Sequence, residues 1–186
     1  YLDIFPLVPA SRQKNTLIAH WYTPPYIIDL VDIVAGPETS PTVISAVNDL
    51  YLGFGKEPLL FKRLIPGYIA NRLQAALNLE CLRMIDEGWV SASDIDHSVR
   101  HGIASRLAIL GHMKKMDYTD LRMSRNGIAS RMYLPPENTG GSATLFKLIE
   151  EGRTGVRAGA GFYDYGDASP GDLFKARDIK LLKLKK

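Results

Sequence analysis

The sequence predicts an α+β chain with strands in its first third and helices in the remainder. Between residues 16 and 34, β-branched and aromatic residues lie on either side of a proline turn, a pattern typical of two short strands. Beyond Pro66 the period of two is lost, and apolar residues recur at helical spacing. The chain has 186 residues and is 46% hydrophobic, enough for one solid core or for one domain and part of another.

The first segment is predicted to be an irregular connector followed by two strands. Residues 1–15 contain Pro6 and Pro9, which prevent one long helix. Strands are predicted at 16–22 and 28–34, because the prolines between them cannot continue a hydrogen-bonded ladder.

A helix and a third strand are predicted next. Ser40 can cap a helix whose first position is Pro41, and Gly53 and Gly55 close that helix. The apolar run at 59–61 predicts a strand. The order up to residue 63 is therefore strand, turn, strand, helix, strand.

The chain from Pro66 onward is predicted to contain only helices and loops. A long apolar stripe ends at Glu87 and Gly88, and Ser93 with Asp96 has the spacing of a capping box. Further helices are predicted at about 107–119, 121–132, 145–150 and 170–186.

His20 and Asp32 are the candidate chemical groups of the strand region. A turn centred near Tyr26 would place the two residues opposite each other, with Asp32 on the apolar face of its strand. A carboxylate on that face needs a partner. One interpretation is a general acid/base histidine oriented by a carboxylate. The other is a structural ion pair between two strands. Spacing alone leaves both open.

Composition argues against several other classes of function. The 23 basic and 20 acidic residues give a net charge of +3 and are spread out, so neither a nucleic-acid nor a membrane partner is expected. His97 and His101 are four apart on one predicted helix but lack an evident third ligand, so no metal site is expected. Cys81 is predicted to be a small core residue, and a reducing, cytoplasmic setting is expected.

Four separated motifs lie along the chain in the order HWYTPP, LVDIV, PGYIANRLQAALNLECLRMIDEGWVSASDID and GAGFYDY. Together they resemble the 3-hydroxyacyl-CoA dehydrogenase family, in particular its lambda-crystallin and L-gulonate 3-dehydrogenase branch. The resemblance implies that residues 1–64 are the C-terminal part of a Rossmann-like NAD-binding domain. It implies that residues 65–186 are an all-helical dimerisation domain like that of 6-phosphogluconate dehydrogenase, and that the protein is a homodimer.

The phosphate-binding motif of that family is expected to lie outside this chain. No Gly-x-Gly-x-x-Gly follows a strand here, and GVRAGAG at 155–161 is predicted to be a tight loop. The chain is therefore interpreted as a fragment, or as one half of a divided protein. No cofactor-binding residues are assigned within it, and the isolated chain is expected to be inactive.

The resemblance assigns four site residues. The catalytic histidine falls on His20 and its paired acid on Asp32, where the family usually has glutamate. Thr23, in place of the motif's asparagine, and Asn71 are the implied substrate-binding residues. The implied activity is NAD-dependent oxidation of a 3-hydroxyacyl-CoA, as in fatty acid metabolism, or of a related hydroxy acid. A sugar-acid or carnitine dehydrogenase and a non-catalytic, crystallin-like protein remain as alternatives.

Overall fold

The computed structural model describes residues 4–185 and divides the chain into two compact units. One unit runs up to Arg72 and includes the chain from Gly171 onward, whereas the other spans Leu73–Pro170. The prediction placed the boundary at 64/65 and assigned the whole C-terminal stretch to the helical domain. In the structure the last helix instead groups with the strands.

The described residues form three strands and nine α-helices. In chain order they are α1 (Ala10–Gln13), β1 (Leu17–Trp21), β2 (Leu30–Ala35), α2 (Pro41–Gly53), β3 (Glu57–Phe61), α3 (Ile69–Asp86), α4 (Ala92–Ser98), α5 (Ser105–Leu110), α6 (His112–Asp117), α7 (Leu121–Ala129), α8 (Ala143–Glu150) and α9 (Pro170–Leu184). A π-helical stretch at Val99–Ala104 joins α4 to α5. Of the predicted connector, residues 1–3 lie outside the described range, as does Lys186 of the last predicted helix.

The sheet has the order β1-β2-β3 and mixes both kinds of pairing. β1 pairs antiparallel with β2 and places His20 opposite Asp32, which confirms the predicted register. β2 pairs in parallel with β3, and α2 forms the crossover between them. The expected order of strand, turn, strand, helix, strand is confirmed.

The cap of α2 follows from its sequence. The Ser40 side chain accepts a hydrogen bond from the Val43 amide at 3.3 Å. Pro41 occupies the first helical position, where a backbone N–H would have no partner within the helix, so proline loses no hydrogen bond there. Gly55 ends the region in the left-handed conformation with φ 68°, which glycine adopts without steric cost.

The core of the strand unit lies on β2. Val31, Ile33 and Val34 are fully buried, and Asp32 is buried between them in sequence. A central strand that is buried on both faces is expected to be apolar throughout, so the carboxylate in the middle of β2 is the exception that has to be explained.

The helical unit corrects two sequence predictions. Ser91, not Ser93, caps α4, and it forms a reciprocal capping box with Asp94. The predicted helix at 107–119 is interrupted by Gly111, whose φ of 70° ends α5 before α6 begins. Helices are confirmed near 121–132, 145–150 and the C-terminus. Within the described residues, no helix is both long and apolar enough to cross a bilayer.

The turn between β1 and β2 is held by groups from distant parts of its own unit. The Lys56 amine donates to the carbonyls of Pro25 and Ile28. From the last helix, Asp178 accepts a hydrogen bond from the Tyr26 phenol at 2.7 Å.

Candidate active site

His20 and Asp32 face each other across the β1–β2 ladder. The side chain of His20 is 26% exposed, whereas that of Asp32 is 1% exposed. The His20 Nδ1 lies 3.7 Å from Asp32 Oδ2, within the range of an ion pair but beyond hydrogen-bond length. Nδ1 is buried and faces the acid, which leaves Nε2 as the ring nitrogen that a substrate could reach.

Tyr22 provides the hydrogen bond that Asp32 accepts. Its phenol donates to Asp32 Oδ2 at 2.5 Å, shorter than a typical neutral hydrogen bond. The Tyr22 ring also meets the imidazole of His20 edge-on, with centroids 4.8 Å apart and planes at 85°. Burial, followed by the hydrogen bond to Asp32, raises the pKa of the Tyr22 phenol, so this hydroxyl remains a donor.

Tyr68 covers one face of the His20 imidazole. The two rings stack with centroids 4.0 Å apart and planes at 9°. Tyr68 has a φ of 51°, in the left-handed region that side chains other than glycine adopt at a cost. The backbone is therefore held in an unfavourable conformation at the residue that packs on the histidine.

Two buried polar atoms of the pair lack hydrogen-bond partners within residues 4–185. They are Nδ1 of His20 and Oδ1 of Asp32. Burying an unpaired polar atom costs roughly 1–3 kcal/mol, so this arrangement is not one that stability alone would favour. The short side chain of Asp32 satisfies Tyr22 and leaves the histidine unpaired.

The implied substrate residues lie next to this cluster in the chain. Asn71 is exposed in the first turn of α3. Tyr68, three residues earlier, stacks on His20, and the Ala70 backbone interacts with the Tyr22 hydroxyl. Thr23 is exposed on the turn directly after Tyr22. The segment that carries Asn71 therefore borders the histidine, although no contact of the Asn71 amide with it is seen.

The other histidines and the cysteine do not assemble a second centre. His97 and His101 are neighbours, with ring centroids 4.6 Å apart, but the described residues contain no cluster of three potential metal ligands. His112 is exposed. The thiol of Cys81 has its pKa raised by burial and then by neighbouring carboxylates, so it is a poor nucleophile. The GVRAGAG segment forms a tight turn with a bridge between Gly155 and Ala160, as expected.

Sequence reasoning missed Tyr22 and Tyr68. Tyr22 lies two residues after His20, and this spacing in an extended segment directs two side chains to the same side. That signal was available. Tyr68 carried no comparable signal, because its position depends on a left-handed backbone after Gly67.

Two family models match the chain along nearly its whole length. The 3-hydroxyacyl-CoA dehydrogenase NAD binding domain matches residues 7–64, and the C-terminal domain of the same family matches residues 67–165. The second match alone covers more than half of the chain. The chain belongs to the 3-hydroxyacyl-CoA dehydrogenase family.

Relatives within this family have several named activities. The 5-formyl-3-hydroxy-2-methylpyridine 4-carboxylate 5-dehydrogenase of Mesorhizobium japonicum is 26% identical over 95% of this chain and 57% of its own length. An L-carnitine dehydrogenase of Pseudomonas sp is 31% identical over 93% of this chain and 54% of its own. Lambda-crystallin of Oryctolagus cuniculus is 38% identical over 57% of this chain and 33% of its own length.

A solved structure agrees with the fold. The crystal structure of a 5-formyl-3-hydroxy-2-methylpyridine 4-carboxylic acid 5-dehydrogenase superposes with a TM-score of 0.81 at 25% identity, covering 91% of this chain and 55% of that one. The chain therefore spans little more than half the length of the relatives that it matches most fully.

Proposed function

We propose that the protein containing this chain oxidises a secondary alcohol to a ketone with NAD, His20 acting as the base. The substrate class proposed is a 3-hydroxyacyl-CoA or a related 3-hydroxy acid. The observation that carries the proposal is the partly exposed imidazole of His20, which lies opposite the buried Asp32 in the strand ladder, 3.7 Å from its carboxylate. A histidine that served only packing would not need to be exposed to solvent beside a buried acid.

The proton is handled by this chain's own residues. Nε2 of His20 takes the proton of the substrate hydroxyl, and the positive charge that forms on the ring is balanced by Asp32 at 3.7 Å. Tyr68 restricts the tilt of the ring by stacking on it. NAD, when bound, accepts the hydride that leaves the same carbon. Loss of the hydroxyl proton and of one hydride converts the alcohol to the ketone, so all its atoms are accounted for.

Asn71 and Thr23 are proposed to contact the substrate. The exposed Asn71 amide in the first turn of α3 would donate to the substrate oxygen, and the exposed Thr23 hydroxyl would contact a neighbouring group. Support comes from their positions, since Tyr68 and Tyr22, close to them in sequence, both pack on His20.

The residues described here do not provide a cradle for the phosphates of NAD. Within 4–185, no strand leads through a Gly-x-Gly-x-x-Gly segment into a helix. We expect this half of the nucleotide-binding domain to come from sequence outside the 186 residues. The match of residues 7–64 to the family's NAD binding domain supports NAD as the cofactor.

A homodimer formed through the helical unit is proposed as the assembled state. None of helices α3 to α8, all within the described range, has a buried residue, and large apolar side chains such as Met132 (92% exposed) face outward. Apolar surface on this scale calls for a covering partner. Light scattering on the full-length protein is expected to give twice the mass of one chain, and a monomer at micromolar concentration would contradict it.

Replacing His20 by glutamine in the full-length protein tests the function. We expect kcat to fall about a hundredfold to ten-thousandfold, because the base is lost, while the dissociation constant for NADH changes little. His101→Gln is the matched control, since that histidine is exposed on the π-helical stretch. The compounds to be assayed as substrates are 3-hydroxybutyryl-CoA, L-carnitine, L-gulonate and the 5-formylpyridine carboxylate. Turnover of His20→Gln equal to that of the control would refute the proposal, and no turnover of any substrate by the parent protein would favour the crystallin-like alternative.

A further inference from the structure

The carboxylate of Asp32 accepts a hydrogen bond from a tyrosine, whereas the histidine lies beyond hydrogen-bond length. Its Oδ2 accepts from the Tyr22 hydroxyl at 2.5 Å, while Nδ1 of His20 is 3.7 Å from the same oxygen. Both groups approach one oxygen, and Oδ1 has no partner among residues 4–185. The rotation of the carboxylate is therefore set by Tyr22, because a strong hydrogen bond to one oxygen fixes the direction of the other.

We propose that Tyr22 is a positioning residue that acts through Asp32 to hold the His20 imidazole ready for proton transfer. The inference rests on the function proposed above. An aspartate is one methylene shorter than a glutamate, and at this register it does not reach the ring. The Tyr22 hydrogen bond keeps Oδ2 turned toward His20, so the charge of the carboxylate stays 3.7 Å from Nδ1 of the restrained ring.

The packing around the imidazole supports this assignment. Tyr68 stacks on one face at 4.0 Å, and the edge contact with Tyr22 lies at 4.8 Å, so two aromatic rings restrict the same histidine. Among the described residues, the titratable groups that face His20 are Asp32, Tyr22 and Tyr68, and Tyr22 also contacts Asp32. The hydroxyl of Tyr22 also withdraws part of the negative charge that Asp32 would otherwise offer to the imidazolium.

Tyr22→Phe in the full-length protein removes only this hydroxyl. We expect kcat to fall about tenfold to a hundredfold, the value of one hydrogen bond to a charged group, with little change in KM for NAD. The acid limb of the kcat/KM profile should move to higher pH, because Asp32 then gives its charge to the imidazolium alone. Tyr163→Phe is the matched control, since its hydroxyl also donates to an aspartate, Asp96, at 2.8 Å but within the helical unit. We expect the control to retain wild-type kinetics.

A double-mutant cycle separates positioning from structural support. If Tyr22 acts through Asp32, then Asp32→Asn and the Asp32→Asn/Tyr22→Phe double variant should differ in kcat by less than about twofold. Independent, multiplicative losses would overturn the inference, and so would a Tyr22→Phe enzyme whose kcat falls without movement of the acid limb. If His20→Gln is inactive but Tyr22→Phe equals wild type, only this inference fails. If His20→Gln keeps full turnover, the proposed function fails first.

Discussion

The two units of the molecule bury their residues in opposite ways. In the strand unit, one strand carries four consecutive residues at 0% exposure, one of them the carboxylate of Asp32. In the helical unit, no residue of α3 to α8 is buried, and the buried residues in its described loops include Ser142 and Gly161. The strand unit has a core of its own around the candidate site, whereas the helical unit exposes large apolar side chains such as Ile128 and Met132.

This difference explains where chemistry can be built. A carboxylate can be held in one orientation only where its neighbours do not move, and β2 provides that environment. The candidate pair of His20 and Asp32 therefore lies in the unit whose central strand is fully buried.

Truncating one isoleucine in each unit should give the largest difference in stability between the two units. Ile33 is fully buried on β2, whereas Ile128 is 78% exposed on α7. We expect Ile33→Ala to lower the free energy of unfolding by about 3 kcal/mol through lost burial and a residual cavity. Ile128→Ala should change it by less than about 0.5 kcal/mol. Urea denaturation followed by circular dichroism measures both, and equal losses would show that the helical unit has a core too.

The carboxylate of Asp86 should give an intermediate effect within the helical unit. It accepts hydrogen bonds from the amides of Thr144 (2.9 Å) and Ala143 (3.2 Å) at the start of α8. The Thr144 hydroxyl, followed by the Thr144 amide, is the main cause of its lowered pKa. We expect Asp86→Asn to cost about 1 kcal/mol at pH 7, as for loss of a helix cap. Amide hydrogen exchange at Thr144 measures the loss locally.

The pH dependence follows from the direction of that shift. A carboxyl whose pKa is lowered on folding stabilises the protein above its unfolded value, and the contribution is lost as pH falls through the folded value. The difference in stability between wild type and Asp86→Asn should therefore be largest near neutrality and shrink below about pH 4. A difference that grows on acidification would contradict the assignment.

The smallest effect is expected at the surface of the strand unit. Lys185 pairs with Asp29 at 2.5 Å, and both side chains are partly exposed, at 43% and 26%. Lys185→Ala should cost less than about 1 kcal/mol, and the cost should diminish at 1 M salt. Lys180→Ala, on the helix that ends just before Lys185, is the control. A larger, salt-independent loss would show that the last helix is more than a surface contact of the turn.

Local patterns predicted the strand unit well. The position of the proline turn predicts the register that places His20 opposite Asp32. Ser40 followed by Pro41 predicts the start of α2. Each of these depends on residues close together in the chain, where sequence and structure are tightly linked.

Contacts between residues far apart in the chain could not be predicted from local sequence patterns. The grouping of α9 with the strands depends on contacts such as Tyr26 with Asp178, separated by 152 residues, for which no local pattern exists. The same is true of Tyr68 on His20. At the start of α4, two serines compete for one cap, and spacing to an acid fits both Ser91 with Asp94 and Ser93 with Asp96.

The fastening of the β1–β2 turn by the last helix sets an order of events during synthesis. Tyr26 and Asp29 leave the ribosome long before Asp178 and Lys185, which follow them by 152 and 156 residues. The strands can pair and Lys56 can contact the turn early, but the contacts of Tyr26 and Asp29 form only after translation has passed the final helix. A nascent chain stalled before α9 would thus carry the pair of His20 and Asp32 with only the Lys56 contacts on its turn.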